Sequence, residues 1–348
     1  MNIGRFVVDT HVHSQRHAVG AKLKGSKNYG DLGKVMGQTE AYDNSPRLIY
    51  DMDRYGVDMC IIEPAFGMVN EINLEQVEKY PDRFAANCLP WATKTRFEGG
   101  IADYSIDSAC EELERLLKTG KYVGIGEGMP MGGMVRASAE DPTPQIPDDT
   151  TMLRNMTKIC DIARKYKVPV RYHTGTPGGY SIPYSGARGT FDPLWVHTLA
   201  IAYPDVPIIM EHGGIEGGWW EQFFEACLHV AASQKNVYLE TGRYWTDLYY
   251  KALSDPNVGA EKLIWGTDWG ASLPLYTNLN GHPPVYTRQL LKEGIPRHQV
   301  DIWGWSLKQL WRLDIAQDDL NLILGGNAVR IYNLRTPGGL TRMFKFVD

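Results

Sequence analysis

The chain has 348 residues, 43% of them hydrophobic and 22% charged, a balance that suits a folded protein with a large core and excludes a disordered one. Thirty-six basic against 41 acidic residues give a formal charge of −5, and no run of Lys and Arg is fit to track a phosphate backbone, so nucleic acid is not an expected partner. No apolar run reaches the roughly 20 residues of a membrane helix, and the N-terminus lacks the basic-then-apolar layout of a leader, so a cytoplasmic location with no membrane partner is expected.

In chain order, eight short apolar runs read as strands: 5–13 (RFVVDTHVH), 57–64, 84–91, 122–128 (YVGIGEG), 168–175 (VPVRYHTG), 206–214 (VPIIMEHGG), 236–244 (NVYLETGRY) and 262–270 (KLIWGTDWG). Helical patterns fall between them, including 45–56, 108–120, 150–167 and 191–204; in the second, Ser108 reads as the N-cap and Gly120 as the stop. Strand-helix alternation repeated eight times predicts a (β/α)8 barrel, in one domain spanning 1–348, with its chemistry at the C-terminal ends of the strands. A doubly wound open sheet is the alternative, but no Gly-rich phosphate loop follows the first strand. Three long connections, 14–44, 174–190 and 271–300, are rich in Gly, Pro and Tyr and read as lids over the catalytic face, or as oligomer contacts or decoration. The cysteines, Cys60, Cys88, Cys110, Cys160 and Cys227, are odd in number and mostly set in apolar stretches, which predicts buried free thiols.

The first strand ends on His11 and His13. Two residues apart on extended chain, they share a face about 6.6 Å apart along it, a spacing at which two imidazoles converge on one cation. A lone pair of this kind says little. However, His173 ends the fifth strand, His212 the sixth and Asp268 the eighth, each with Gly following within two residues. The other histidines fall in helices (His197, His229) or in and near loops (His17, His282, His298). Four imidazoles and a carboxylate at one barrel mouth predict a metal site.

Taken together, DTHVH, HTG, EHGG, GTDW and the terminal LILGGNAVRIYNL (322–334) resemble the amidohydrolase superfamily, specifically its amidohydrolase-related branch, which also holds the aminocarboxymuconate semialdehyde decarboxylase-like enzymes. The resemblance covers nearly the whole chain, with the motifs in the expected order. It implies that His11, His13, His173 and Asp268 are metal ligands, and that His212 binds a second metal in two-metal members or acts in catalysis in one-metal members. Two-metal members bridge their ions with a carboxylated Lys or a Glu at the end of the fourth strand, and Glu127 stands there. Two divalent ions need anionic ligands, which makes Glu127 the pivotal residue; a hydrogen-bond partner for a ligand histidine or an ordinary strand-end charge is its other reading.

Other residues near the mouth carry weaker signals. Arg243 can grip a substrate carboxylate as a bidentate fork or form a structural ion pair. Trp91, Trp269 and Glu63 are candidates to line the pocket. Asp9, two residues before His11, is expected in the same inward phase as an orienter or core hydrogen-bonding group. Arg171, two below His173, suggests a buried pair with a carboxylate. His17 faces substrate or solvent from the first long loop.

The chemistry follows the metal count. With two ions, Zn, Mn or Fe, the resemblance implies hydrolysis of an amide, ester, lactone or thioacid, with Asp268 accepting the proton from water and passing it to the leaving group. With one ion it implies non-oxidative decarboxylation of an unsaturated or aromatic acid, His212 or Asp268 handling the proton and Arg243 the carboxylate. A two-iron site acting on O₂ is a third reading. A catalytically silent barrel paired with an active homologue is a fourth, although structural zinc sites are closed and usually cysteine-rich. The expected partner is a small molecule, a carboxylic acid being one class. Homo-oligomerisation and pairing with a homologous subunit both stay open.

Overall fold

A computed structural model describes residues 6–17, 41–65, 68–93, 105–128, 149–174, 193–215, 220–270, 289, 292–294 and 301–336, the side chains of His17, Glu127, Gly128 and Asp149 excepted. Eight parallel strands run β1 Val8–Val12, β2 Met59–Ile62, β3 Phe84–Cys88, β4 Gly124–Gly128, β5 Val170–His173, β6 Ile208–Glu211, β7 Val237–Glu240 and β8 Leu263–Ile264, each hydrogen-bonded to the next in chain order. The chain after β8 meets β1 through Thr10 N–H to the Trp265 carbonyl at 3.0 Å, His13 N–H to the Trp269 carbonyl at 2.8 Å, and a parallel bridge between Val12 and Trp269. This is the expected (β/α)8 barrel, its sheet nearly closed on itself.

The helices following the strands are α1 Ser45–Tyr55, α2 Asn70–Lys79, α3 Ile106–Leu117, α4 Asp149–Tyr166, α5 Val196–Ala202, α6 Trp220–Ser233, α7 Thr246–Ser254 and α8 Ile302–Trp311. His197 and His229 lie in α5 and α6, as read from the sequence. The N-cap of α3 is Ser105, whose hydroxyl accepts from Ser108 N–H at 3.1 Å, and not Ser108; two serines three residues apart offer the same local signal. Gly120 does end this segment, in the left-handed conformation at φ 68°. Four of the five cysteines are buried and Cys110 is half-buried; all five are free thiols. No helix among the described residues is long and apolar enough to cross a membrane.

Strand alternation divides the core in two. Val7, Val12, Cys60, Ile62, Tyr172, Met210, Leu239 and Trp265 pack outward against the helices, whereas Val8, Met59, Ile61, Ala85, Ile209, Tyr238 and Ile264 fill the lower barrel interior. A C-terminal helix, α9 Gln317–Asn321, runs through a π-helical turn, Leu322–Gly326, into α10 Asn327–Tyr332, which adds Ala328, Val329, Ile331 and Tyr332 to the interior cluster. Asn327 anchors it by donating to the Ala260 and Leu263 carbonyls, both at 2.8 Å. That bond pair gives the Asn of the LILGGNAVRIYNL motif a structural role.

One expectation fails for a register reason. Asp9 pairs with Cys60 and Val12 with Ile62, so three steps on β1 match two on β2; the extra residue is a bulge that reverses side-chain phase between Asp9 and the histidines. Asp9 therefore lies with the helix-facing layer. It accepts from Trp303 of α8 and the Thr267 hydroxyl, each at 2.5 Å, and from the Thr267 and His11 amides, each at 3.0 Å. Burial raises its pKa to about 6 against these bonds. It is a core hydrogen-bonding group that ties the backbone of β1 to the turn after β8.

Of the long connections, residues 15–17 and 41–43 pair as an antiparallel ribbon, Gln15–His17 with Ala41–Asp43. Gln15 ties it to the start of α2, donating to the Val69 carbonyl at 2.7 Å. The remainder of 14–44 and nearly all of 174–190 and 271–300 lie outside the described residues, as do the His17 side chain and His282 and His298.

Candidate metal centre

Above the apolar interior sits a layer of charge. Arg171 points inward from β5, fully buried, and donates through Nε to Glu211 Oε1 at 2.9 Å, through Nη2 to Glu240, and through Nη1 to the Thr10 carbonyl and to the Tyr332 hydroxyl, the last at 3.0 Å. Glu63 Oε1 lies 3.6 Å from Nε, and Glu63 Oε2 accepts from Asn87 at 3.0 Å. Burial works against the Arg171 charge, but Glu63, Tyr332, Glu240 and Glu211 outweigh it and hold the guanidinium protonated. Gly126 on β4 makes room for this arrangement, since a Cβ there would stand 2.8 Å from the Arg171 Cβ and 3.1 Å from Glu63 Oε2. Gly126→Ala is expected to destabilise the fold by about 1–3 kcal/mol through overpacking, measured by urea unfolding.

On this layer stand the histidines. His11 and His13 approach Nε2 to Nε2 at 3.1 Å, and Asp268 Oδ1 lies 3.1 Å from His13 Nε2 and 3.7 Å from His11 Nε2. The His11 ring stacks on His212 with centroids 5.2 Å apart, and His212 meets His173 edge-on at 4.5 Å. The structure thus gathers His11, His13, His173, His212 and Asp268 into one buried cluster, the five residues picked from strand ends. At 9% and 6% exposed, His173 and Asp268 are its most accessible members and mark the side facing the mouth. His212 and Asp268 both adopt left-handed backbone, φ 59° and 58°, which turns each side chain at the end of its strand. Gly213 then continues at φ 50°, where a Cβ would overlap the Tyr244 hydroxyl.

The donor set fits a divalent cation. Ligand atoms bonded at about 2.1 Å stand roughly 3–3.5 Å from one another, close to the separations among His11 Nε2, His13 Nε2 and Asp268 Oδ1. Asp268 Oδ1 is buried without a hydrogen bond. Burial, then Arg171, holds His11 neutral well below the ordinary histidine range; burial and Arg243 do the same for His212 and lower His173 to about 3, leaving unprotonated rings able to ligate. Glu63, Glu211, Glu240 and Asp268 face two guanidiniums, Arg171 and Arg243, so the described cluster carries two surplus negative charges with its carboxylates ionised. Burial raises the pKa of Glu240, Arg171 opposes and Glu63 raises it again, to a net increase. A divalent cation would balance the two surplus negative charges.

The remaining expected residues divide. Glu127 is the fourth residue of β4, and its side chain lies outside the described residues. Arg243, 2% exposed, makes an ion pair through Nη2 with Asp268 Oδ2, the structural alternative read from the sequence. The Trp91 indole donates to Ser108 at 3.0 Å and its amide to Glu112, so both are tied to α3 rather than to the cluster. Trp269 packs against Trp303 at 5.9 Å and under Arg16 at 5.3 Å. Glu211 and Glu240, absent from the sequence-derived set, are the main additions. Their signal was an acidic residue closing an apolar run at inward phase, in IIME and VYLE.

An eight-stranded barrel with buried histidines and a carboxylate converging beyond its strand ends defines a metal-site barrel enzyme. A family model described as amidohydrolase matches residues 8–334, and the chain belongs to that metal-dependent family. Amidohydrolase 2 from Bifidobacterium longum subsp. infantis is 12% identical over 95% of this chain and 100% of its own, with a TM-score of 0.51. An amidohydrolase from Burkholderia multivorans, crystallised with bound HEPES, is 15% identical over 95% and 100%, with a TM-score of 0.50. At such identity the likeness speaks for the fold. No curated protein matches.

Proposed function

We propose that this chain is a hydrolase with a binuclear metal centre, acting on the carbonyl of an amide, ester, lactone or thioacid. The observation that carries the reading is the convergence of His11 Nε2, His13 Nε2 and Asp268 Oδ1, with the His212–His173 pair stacked directly beside it. When bound, the metal supplies Lewis acidity and a water acidified to near neutral pH. His11, His13 and Asp268 would hold one ion and His173 and His212 the other, with Glu127 the carboxylate available to both. Asp268 would accept the water proton on its carboxylate and pass it to the leaving group, and Arg243, ion-paired with it, would keep that carboxylate aimed.

A mononuclear decarboxylase is the second reading, and the charge layer favours it in one respect. Among the described residues the inward carboxylates Glu63, Glu211 and Glu240 are all engaged with Arg171, so the bridging role falls to Glu127, whose side chain lies outside them. Elemental analysis of wild type and Glu127→Ala separates the two: about two ions per chain falling to about one supports the binuclear hydrolase, whereas about one in both sinks it and directs assays to decarboxylation. Predominant iron calls for an oxygen-consumption assay.

A further inference from the structure

We propose that Glu240 is a positioning residue for the metal centre, fixing His11 as a ligand through Nε2 and steadying His212 at the same time. The inference rests on the metal-site reading above and extends it to a residue beneath the ligands. Both Glu240 oxygens lie 3.0 Å from His11 Nδ1, while the opposite ring nitrogen, Nε2, faces His13 Nε2 at 3.1 Å, Glu63 Oε1 at 3.4 Å and Asp268 Oδ1 at 3.7 Å. A neutral imidazole carries one N–H, and a ligating nitrogen carries none. Glu240, closer to Nδ1 than either Glu63 or Asp268 is to Nε2, therefore places the proton on Nδ1 and leaves Nε2 bare.

Glu240 is well held for this task. Arg171 grips one oxygen, and the His212 amide donates to the other at 3.2 Å, so one carboxylate serves the side chain of one strand-end histidine and the backbone of another. His13 reaches the same tautomer differently, its Nδ1 lying 2.9 Å from the Glu63 carbonyl. Backbone supports His13 and a side chain supports His11, so only the latter support can be removed by substitution. A competing geometry, Glu240 as a ligand itself with His11 and His212, is possible because their donor atoms lie within 4.8 Å. Coordination in that group through His11 Nδ1, the nitrogen beside Glu240, would reverse the tautomer.

The test uses the full chain labelled with 15N-histidine and loaded with zinc, with the His11 ring signals identified by their loss in His11→Gln. Long-range proton-nitrogen correlation is expected to show His11 protonated at Nδ1. In chelator competition, Glu240→Gln is expected to bind zinc about 10- to 100-fold more weakly at unchanged stoichiometry, with Glu240→Asp recovering part of the loss. Protonation of His11 at Nε2 in wild type overturns the proposal whether or not the variants fold. Zinc affinity in folded Glu240→Gln within twofold of wild type overturns it too, leaving the metal site standing. Wild type that takes up no zinc overturns both.

Discussion

Asp268→Asn is expected to lower kcat/KM for hydrolysis by about 10²- to 10⁴-fold, the range for a lost acid-base group, with the fold intact. The substitution keeps shape and removes charge at the point where three roles meet. Asp268 Oδ1 faces both Nε2 atoms of the His11–His13 pair, Oδ2 is ion-paired with Arg243, and the residue lies at the accessible edge of the cluster. Asp268→Ala is expected to add a stability loss of about 3 kcal/mol, because it leaves a guanidinium that is 2% exposed without even the acceptor oxygen that Asn retains. Adding Arg243→Met to Asp268→Ala is expected to recover part of that stability and none of the activity. Steady-state assays and urea unfolding of the three variants read the two effects separately. Activity in Asp268→Asn within tenfold of wild type would remove Asp268 from the chemistry.

Where the sequence was informative, it was so because barrel geometry makes local pattern sufficient. A strand end is marked by the close of an apolar run, with Gly following at His173, His212 and Asp268, and in this fold strand ends meet, so these three, His11 and His13 were legible one strand at a time. What depended on pairing between strands was not. The bulge that turns Asp9 toward α8 exists only as a mismatch between β1 and β2, and no composition signal in VVDTHVH announces it. Arg171 could be read as one half of a buried pair, but Glu211 and Glu240 lie 40 and 69 residues away, and Glu240 looks in sequence like any residue closing a strand. Arg243 offered two readings that only the position of Asp268 could separate. Trp91 shows the same dependence on distant partners: this aromatic residue at a strand end is bonded to α3 through Ser108 and Glu112, 17 and 21 residues further on.

The charge layer beneath the ligands leads to the other large effect. Arg171→Met is expected to destabilise the fold by about 3–5 kcal/mol at neutral pH, since it leaves Glu63, Glu211 and Glu240 buried together without their shared cation. Arg171→Lys is expected to recover only part of this, because a single ammonium cannot reproduce a fork reaching Glu211, Glu240, the Thr10 carbonyl and the Tyr332 hydroxyl at once. The deficit has a predictable pH dependence. The folded-state pKa of Glu240 already stands above its ordinary value through burial, and Arg171 is the main group pulling it down, so removing Arg171 raises it further. A carboxyl with a raised folded pKa binds more protons folded than unfolded, so its contribution to stability is intact below the unfolded pKa and is lost as pH rises through the folded one. Metal-free Arg171→Met should therefore lie closest to wild type in acid and fall further behind as pH increases. Urea midpoints for both proteins, followed from acid to the alkaline limit of the fold, read this directly. A gap that stays constant or narrows with rising pH would mean that the three carboxylates are not held together by Arg171, and that the ligands above rest on some other support.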